Sequence, residues 1–160
     1  MNAQKFTQKS LEAIQNSQEL SLEHQNMQIE VEHLLYALVT QEQGLIPQLL
    51  LKMGVNLEGF EAEVKRAVDS FPHVSGPGRE AGKIYVSGEM DRTLIEAEKI
   101  AANMKDDYVS VEHLFLALLQ SPNDRIKEIF RTFGITKDKF LKILVSVRGN
   151  TRVTSDSPES

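Results

Sequence analysis

The chain has no cysteine among its 160 residues. That excludes a disulfide framework, cysteine-ligated zinc and thiolate catalysis, and it is compatible with a reducing cytoplasm. It also lacks an excess of basic residues: 18 Lys and Arg against 23 Asp and Glu leave a net charge of −5. Extensive binding to phosphate backbones is disfavoured by that balance, because no positive field gathers them. Long hydrophobic runs are missing too. The longest, LIPQLLL at 45–51 and HLFLALL at 113–119, fall far short of the roughly 20 residues that span a bilayer. The polar start MNAQKFTQKS has no signal-peptide hydrophobic region. What is present, 41% hydrophobic and 26% charged side chains, suits one globular domain with a sizeable core.

The most informative feature is an internal repeat. IEVEHLLYAL at 29–38 matches VSVEHLFLAL at 109–118 at an offset of 80, with Val31/Val111, Glu32/Glu112, His33/His113, Leu34/Leu114, Ala37/Ala117 and Leu38/Leu118 identical. The same offset, without a gap, pairs Thr7 with Ser87, Ile14 with Leu94, Ile46 with Ile126, Gly54 with Gly134 and Phe60 with Phe140. The chain is a tandem duplication.

Within each half the apolar period is helical. Met90, Leu94, Ala97, Ala101 and Met104 recur at spacings of three and four and predict a long fifth helix over 87–104. Its first-half counterpart, 6–23, carries Phe6, Ala13, Ile14, Ser17 and Leu20, a weaker stripe whose small members allow close approach of a neighbour. Short, almost wholly apolar second and sixth helices follow at 31–40 and 111–119, the latter capped by Ser110. Third and seventh helices at 45–53 and 123–133 stop at Gly54 and Gly134, where a left-handed residue can satisfy terminal carbonyls without a Cβ penalty. Asn56 and Thr136 then serve as candidate N-caps for helices four and eight, whose core stripes are Leu57, Phe60, Val64, Val68 and Phe140, Ile143, Leu144, Val147. The expected fold is all-α: eight helices in two pseudo-twofold-related four-helix motifs. Each half of about 80 residues would be poorly covered alone, so the halves share a core. Repeat one covers about 1–70, the connecting loop 71–83 and repeat two about 84–148, and the polar, aperiodic 149–160 is expected to fray or to act as a linker.

Chemical motifs are sparse. GPGREAGK at 76–83 fails as a phosphate loop, because Pro77 stands where the first glycine is required and Ile84 where Ser or Thr is required. His33 and His113 lack the paired spacing of a zincin helix, and at equivalent positions of a duplicated fold they read as rings packed at a helix start with one nitrogen hydrogen-bonded. Glu32 and Glu112 sit in first helical turns, where amide ends favour a carboxylate. No nucleophile, base and orienting acid occur in a recognisable context, so the fragment is not expected to be an enzyme, and no cofactor or metal is implied within it. A small enzyme using His33 or His113 would need a solvent-open histidine beside a second polar group. The acidic pair Asp106–Asp107 followed by Tyr108, near Glu112, reads either as a solvated loop or as negative charge beside an aromatic surface for a peptide segment. Tyr85 and Tyr108 flank the fifth helix.

The doubled VEHLL and VEHLF motif, the glycine stops with Val55 and Ile135 after them, and the opening Phe6–Thr7 resemble the Clp N-terminal domain, the double four-helix module of Clp/Hsp100 AAA+ unfoldases. The tail Arg152–Val153–Thr154 followed by Ser157–Pro158–Glu159 resembles the stretch leading toward the first ATPase ring in the ClpB-like disaggregase branch. The resemblance implies a cytoplasmic ring-forming chaperone, homohexameric when full length, with ATP and Mg in its ATPase modules, a coiled-coil middle region, and cooperation with the DnaK system. The fragment itself is expected to be monomeric and to engage unfolded or aggregated polypeptide through a partly hydrophobic groove. Carried over onto this sequence, the substrate-handling positions are Thr7, Asp106 and Glu112, with Leu94, Tyr108 and Leu114 as apolar contributors along the first, fifth and sixth helices. Glu32, His33, Leu34, Glu112, His113 and Leu114 form the repeat signature. The alternative is the N-terminal domain of a protease-coupled unfoldase such as ClpC or ClpA, where the same motif docks adaptors; a purely structural spacer is a third.

Overall fold

Each half of the chain starts with a helix whose first amides are closed by a hydroxyl. In the computed structural model, which describes residues 1–74, 85–149 and 151–158, Thr7 caps α1 (Gln8–Glu23) by accepting from the Ser10 amide. Ser87 caps α5 (Gly88–Asn103) by accepting from the Met90 amide. These are the paired positions of the duplication, and each satisfies a donor that the helix geometry leaves open. A short 3₁₀ turn, Ala3–Lys5, precedes α1.

The two halves are laced together just before these caps. Strand β1 (Gln28–Ile29) pairs in parallel with β2 (Tyr85–Val86), Ile29 opposite Val86. Phe6 forms a parallel bridge with Val109. Under the repeat offset these are one contact made twice, the segment before the first helix of one half lying beside the segment before the second helix of the other. The Thr7 amide donates to Val109 O at 2.9 Å and the Ser87 amide to Ile29 O at 3.0 Å. Phe6, predicted as the start of the first helix, is therefore buried in extended backbone instead.

Helices α2 (Val31–Thr40) and α6 (Val111–Gln120) occupy the centre, α1 packed on α2 and α5 on α6. Their apolar side chains are buried on nearly every face, which explains their lack of a polar stripe. On α1 the buried face consists of Ser10, Ala13, Ser17 and Ser21; Ser10 Oγ donates to the backbone carbonyls of Thr7 and Val109, and Ser17 Oγ to that of Ala13. Small hydroxyls bonded to backbone carbonyls are tolerated in the interior and let α2 approach closely.

Helices α3 (Leu45–Lys52) and α7 (Asp124–Thr132) end two residues before Gly54 and Gly134, which stand at φ 79° and 68°. Nothing lies within 4 Å of where a Cβ would stand at either position, so the positive dihedral alone demands glycine. Helices α4 (Leu57–Asp69) and α8 (Lys137–Arg148) follow, capped by Asn56 and Thr136 through the Gly59 and Lys139 amides. One hydrophobic cluster runs through both halves. Phe60 stacks on Phe130 at 6.1 Å between ring centres, and Phe115 meets Phe140 at 4.8 Å, so aromatic faces from both repeats share the interior. The described residues thus form an all-α domain of eight α-helices, with only two-residue strands as stitching.

Val147, expected on the core stripe of α8, lies outside it. The stripe of α8 ends at buried Leu144, and Val147 is 45% exposed, because the last turn carries Arg148 inward. The predicted connecting loop falls largely on 75–84, outside the described residues, as does GPGREAGK. Within the tail, residues 151–158 lie against the domain: Val153 is 4% exposed, its amide donates to Asp106 Oδ1 at 2.9 Å and its carbonyl accepts from the Asp107 amide at 2.8 Å. No helix among the described residues is long and apolar enough to cross a membrane.

Candidate functional site

The signature histidines sit at the third position of α2 and α6, where an ordinary capping box has Glu or Gln. The Glu30 amide donates to His33 Nδ1 at 2.8 Å, and the Ser110 amide donates to His113 Nδ1 at 2.9 Å. An amide can only donate, so Nδ1 is unprotonated and each ring carries its hydrogen on Nε2. Nε2 in turn donates to Asn26 Oδ1 at 2.8 Å in the first half and to Asp106 Oδ2 at 2.7 Å in the second. Both rings are fully buried. Burial pushes His33 down to about 4. The packed ring expected from the sequence is thus found at both positions, with both nitrogens used rather than one, and a solvent-open catalytic histidine is ruled out at each.

Asn26 and Asp106 are repeat-mates, and their difference separates the halves. Each follows a left-handed residue, Gln25 at φ 52° or Lys105 at φ 61°, which turns the chain out of α1 or α5. In the second half the carboxylate meets Arg148, whose Nη2 donates to Asp106 Oδ1 and whose Nη1 lies 3.7 Å from Glu112 Oε2. Glu112 also accepts from Ser110 Oγ. Burial raises the Asp106 carboxyl, but hydrogen bonds from Arg148, Val153 and His113 outweigh it and hold the group below its ordinary value. Burial likewise dominates at His113, and the ring stays below its usual value despite the carboxylates of Glu112 and Asp106. In the first half Val68 stands at the position of Arg148 and no such ion pair forms. Glu32 is buried, accepts from Asn123 Nδ2 at 3.2 Å, and is raised by burial.

The structure brings Thr7, Asp106 and Glu112 into the same region, but none is open to solvent: Thr7, Glu112 and Asp106 are 0%, 4% and 8% exposed. Leu114 is fully buried and Leu94 nearly so. Both belong to the buried core cluster, and neither is among the residues lining the grooves beside α5, where the sequence expected them as apolar contributors. Tyr108 is half-buried and does reach the surface.

The apolar surface beside this corner comes from a residue that lies off the inward stripe of α5. Ile95 follows Leu94 by one position and is 46% exposed on the outer face of α5. One groove of about 440 Å³ runs between α5 and the α6–α7 connection, lined by Arg92, Ile95, Glu96, Lys99, Leu118 and Pro122 among others. A second, of about 500 Å³, continues on the other side of α5, lined by Lys5, Ile95, Lys99, Ala102, Asp107 and Tyr108 among others. Ile95 and Lys99 belong to both, so the two form a continuous surface across α5. An apolar residue on an otherwise polar face was the signal for it in the sequence. The lining mixes both charges around small apolar patches, an arrangement suited to holding an extended peptide rather than to transforming a small molecule. No group of three or more metal-ligating side chains occurs among the described residues.

The sequence model of the family described as "Clp repeat (R) N-terminal domain" matches residues 5–133. The chain is 42% identical over 160 residues to the chaperone protein ClpB of Nitratidesulfovibrio vulgaris, and 42% identical over 159 residues to that of Clostridium tetani. Each alignment covers 99% of this chain but 18% of the relative, so the chain spans under a fifth of those proteins. Its fold matches the crystal structure of the Hsp104 N-terminal domain from Candida albicans with a TM-score of 0.82 and 29% identity, covering 98% of this chain and 99% of that one.

Proposed function

Because the chain belongs to the Clp repeat N-terminal domain family and is closely related to the ClpB and Hsp104 N-terminal domains, we propose that it is the substrate-engaging domain of a ClpB-type disaggregase. In this reading it captures unfolded or aggregated polypeptide and passes it to ATPase modules outside this chain, which bind ATP and Mg. The full-length protein acts in the cytoplasm as a homohexamer with the DnaK system, and residues 149–160 lead toward those modules. Two curated relatives that share the ClpB name favour this branch over a protease-coupled one.

The observation that carries the reading is the continuous surface over α5, where exposed Ile95 and half-buried Tyr108 stand among Lys5, Lys99 and Asp107. Apolar contact supplies affinity without demanding a sequence, and mixed charge accommodates many segments. Thr7, Asp106 and Glu112 act here from beneath: Thr7 fixes the start of α1, while Asp106 and Glu112 set the α5–α6 corner on which Tyr108 rides. Leu94 and Leu114 hold α5 on α6.

The test is chemical-shift mapping of the chain with an unfolded, reduced model client, repeated with Ile95→Asp. The expected result is a saturable patch over Lys5, Ile95, Lys99 and Tyr108. Burying an isoleucine is worth about 1.5–3 kcal/mol, so the variant should bind about tenfold more weakly or worse. A folded Ile95→Asp chain with undiminished affinity, or a patch elsewhere, refutes the surface; no saturable change points to a spacer.

A further inference from the structure

Residues 151–158 cross a corner of the domain and touch three helix ends and the α5–α6 connection on the way. Arg148 Nε, at the end of α8, donates to Thr151 O at 2.8 Å. Arg152 Nη1 donates to Met104 O at 2.5 Å, closing a terminal carbonyl of α5. Val153 is fixed by the carboxylate and amide of the Asp106–Asp107 corner. Farther on, Asp156 O accepts from the Gln8 amide at 2.7 Å, closing an orphan donor at the start of α1. Along this path Val153 and Pro158 form one wall of a groove of about 270 Å³, whose other lining includes Leu45, Gln48, Leu144 and Val147.

The first half has a weaker version of the same arrangement. After α4 the chain also returns to the corresponding corner, where Asn26 Nδ2 donates to Pro72 O at 3.3 Å and the Val74 amide donates to Gln25 O at 2.7 Å. There the holding group is a neutral amide and Val68 replaces the arginine. Only the second half has a charged lock, in which one buried carboxylate binds Arg148, Val153 and His113 together.

We propose that residues 151–158 are a releasable strap, latched by Asp106 and Arg148, that fixes the direction in which the chain leaves α8 and walls the groove between α3 and α8. The strap is latched because its contacts are specific and end on otherwise open helix termini. It is releasable because Val153 is the one buried side chain among these eight residues, so a single apolar anchor opposes the ordering of the whole segment. Release opens the groove over Leu45 and Leu144 and frees the amides of Gln8 and Asp107. The inference does not depend on client binding, since its readout lies in amides of this chain alone.

The test is amide hydrogen exchange by NMR on the 160-residue chain and on Val153→Asp. In the unaltered chain the Gln8 and Asp107 amides should be protected. In the variant both should exchange at least about tenfold faster, while the Thr7 amide, bonded to Val109 O away from the strap, keeps its rate. Gln8 and Asp107 amides that exchange like an unstructured peptide in the unaltered chain overturn the proposal. So does a rise below tenfold in the variant, or an equal rise at Thr7. Because the first arm needs no substitution, a poorly folded variant leaves the proposal testable.

Discussion

Lowering the pH should weaken the domain through His33, by an amount that follows from its geometry. Protonating Nδ1 would set a ring N–H against the Glu30 amide that now donates to it at 2.8 Å, inside a site with no exposure. The folded-state value is accordingly near 4, against about 6.5 in the unfolded chain. A group depressed on folding binds more protons when unfolded, so its contribution is present above pH 6.5 and disappears as pH falls toward 4. From these two values the His33 contribution lost between pH 7 and pH 5 is about 2 kcal/mol. Urea unfolding at the two pH values gives the total change, and the same pair on His33→Gln isolates the histidine, because only the slope with pH is compared. The variant should lose about 2 kcal/mol less over this interval. An NMR titration of the ring Cε1 proton supplies the direct check. An imidazole midpoint near 6.5, or equal pH slopes in the two chains, would refute the buried neutral ring.

The neighbouring position offers a second test: Asn26→Asp places a carboxylate on His33 Nε2 without the arginine found in the other half, so the ring's NMR midpoint should rise clearly above 4. Gly54→Ala and Gly134→Ala should each cost about 1 kcal/mol in denaturant unfolding, and because both sites have open space around them an unchanged midpoint would show that the positive dihedral is not held. Leu114→Ala should lose about 2–5 kcal/mol, whereas Ile95→Asp should stay within about 0.5 kcal/mol of the parent. Reversal of that order would mean that Leu114 and not Ile95 faces the surface.

Much of the architecture was legible because the duplication writes every signal twice. Gly54 and Gly134 mark the same stop, Asn56 and Thr136 the same start, and Phe60 and Phe140 the same core position, so each weak local cue is corroborated at an offset of 80. The crossing of the halves was not legible. The Phe6–Val109 and Ile29–Val86 pairings involve one or two residues each, too short for an alternation pattern, and depend on segments far apart in the chain. The histidine caps were half visible: Ser110 was recognisable as a cap, but a histidine at the third helical position does not announce that it accepts the cap residue's amide. Arg148 and Asp106 are 42 residues apart, and nothing in α8 distinguishes an inward arginine from its exposed lysines. At the groove, inward periodicity singled out Leu94, while the outward exception next to it, Ile95, forms the surface.

The duplication also separates what the fold requires from what one half has added. Several positions that build the core or close a helix keep their chemistry across the repeat, among them Thr7 with Ser87, His33 with His113 and Glu32 with Glu112. Positions 26 and 68 do not, being Asn and Val in one half and Asp and Arg at 106 and 148 in the other. A neutral amide suffices to hold a histidine cap, as Asn26 shows, so folding alone does not call for the aspartate. Burying a carboxylate and a guanidinium is costly unless further hydrogen bonds complete both. Here the exit segment gives the carboxylate a donor in the Val153 amide and the guanidinium an acceptor in Thr151 O, which takes the Arg148 Nε hydrogen, while Arg148 Nη1 faces Glu112 at 3.7 Å without a hydrogen bond. The charged pair and the ordered tail therefore form one unit, a difference between the halves that falls where the chain leaves α8.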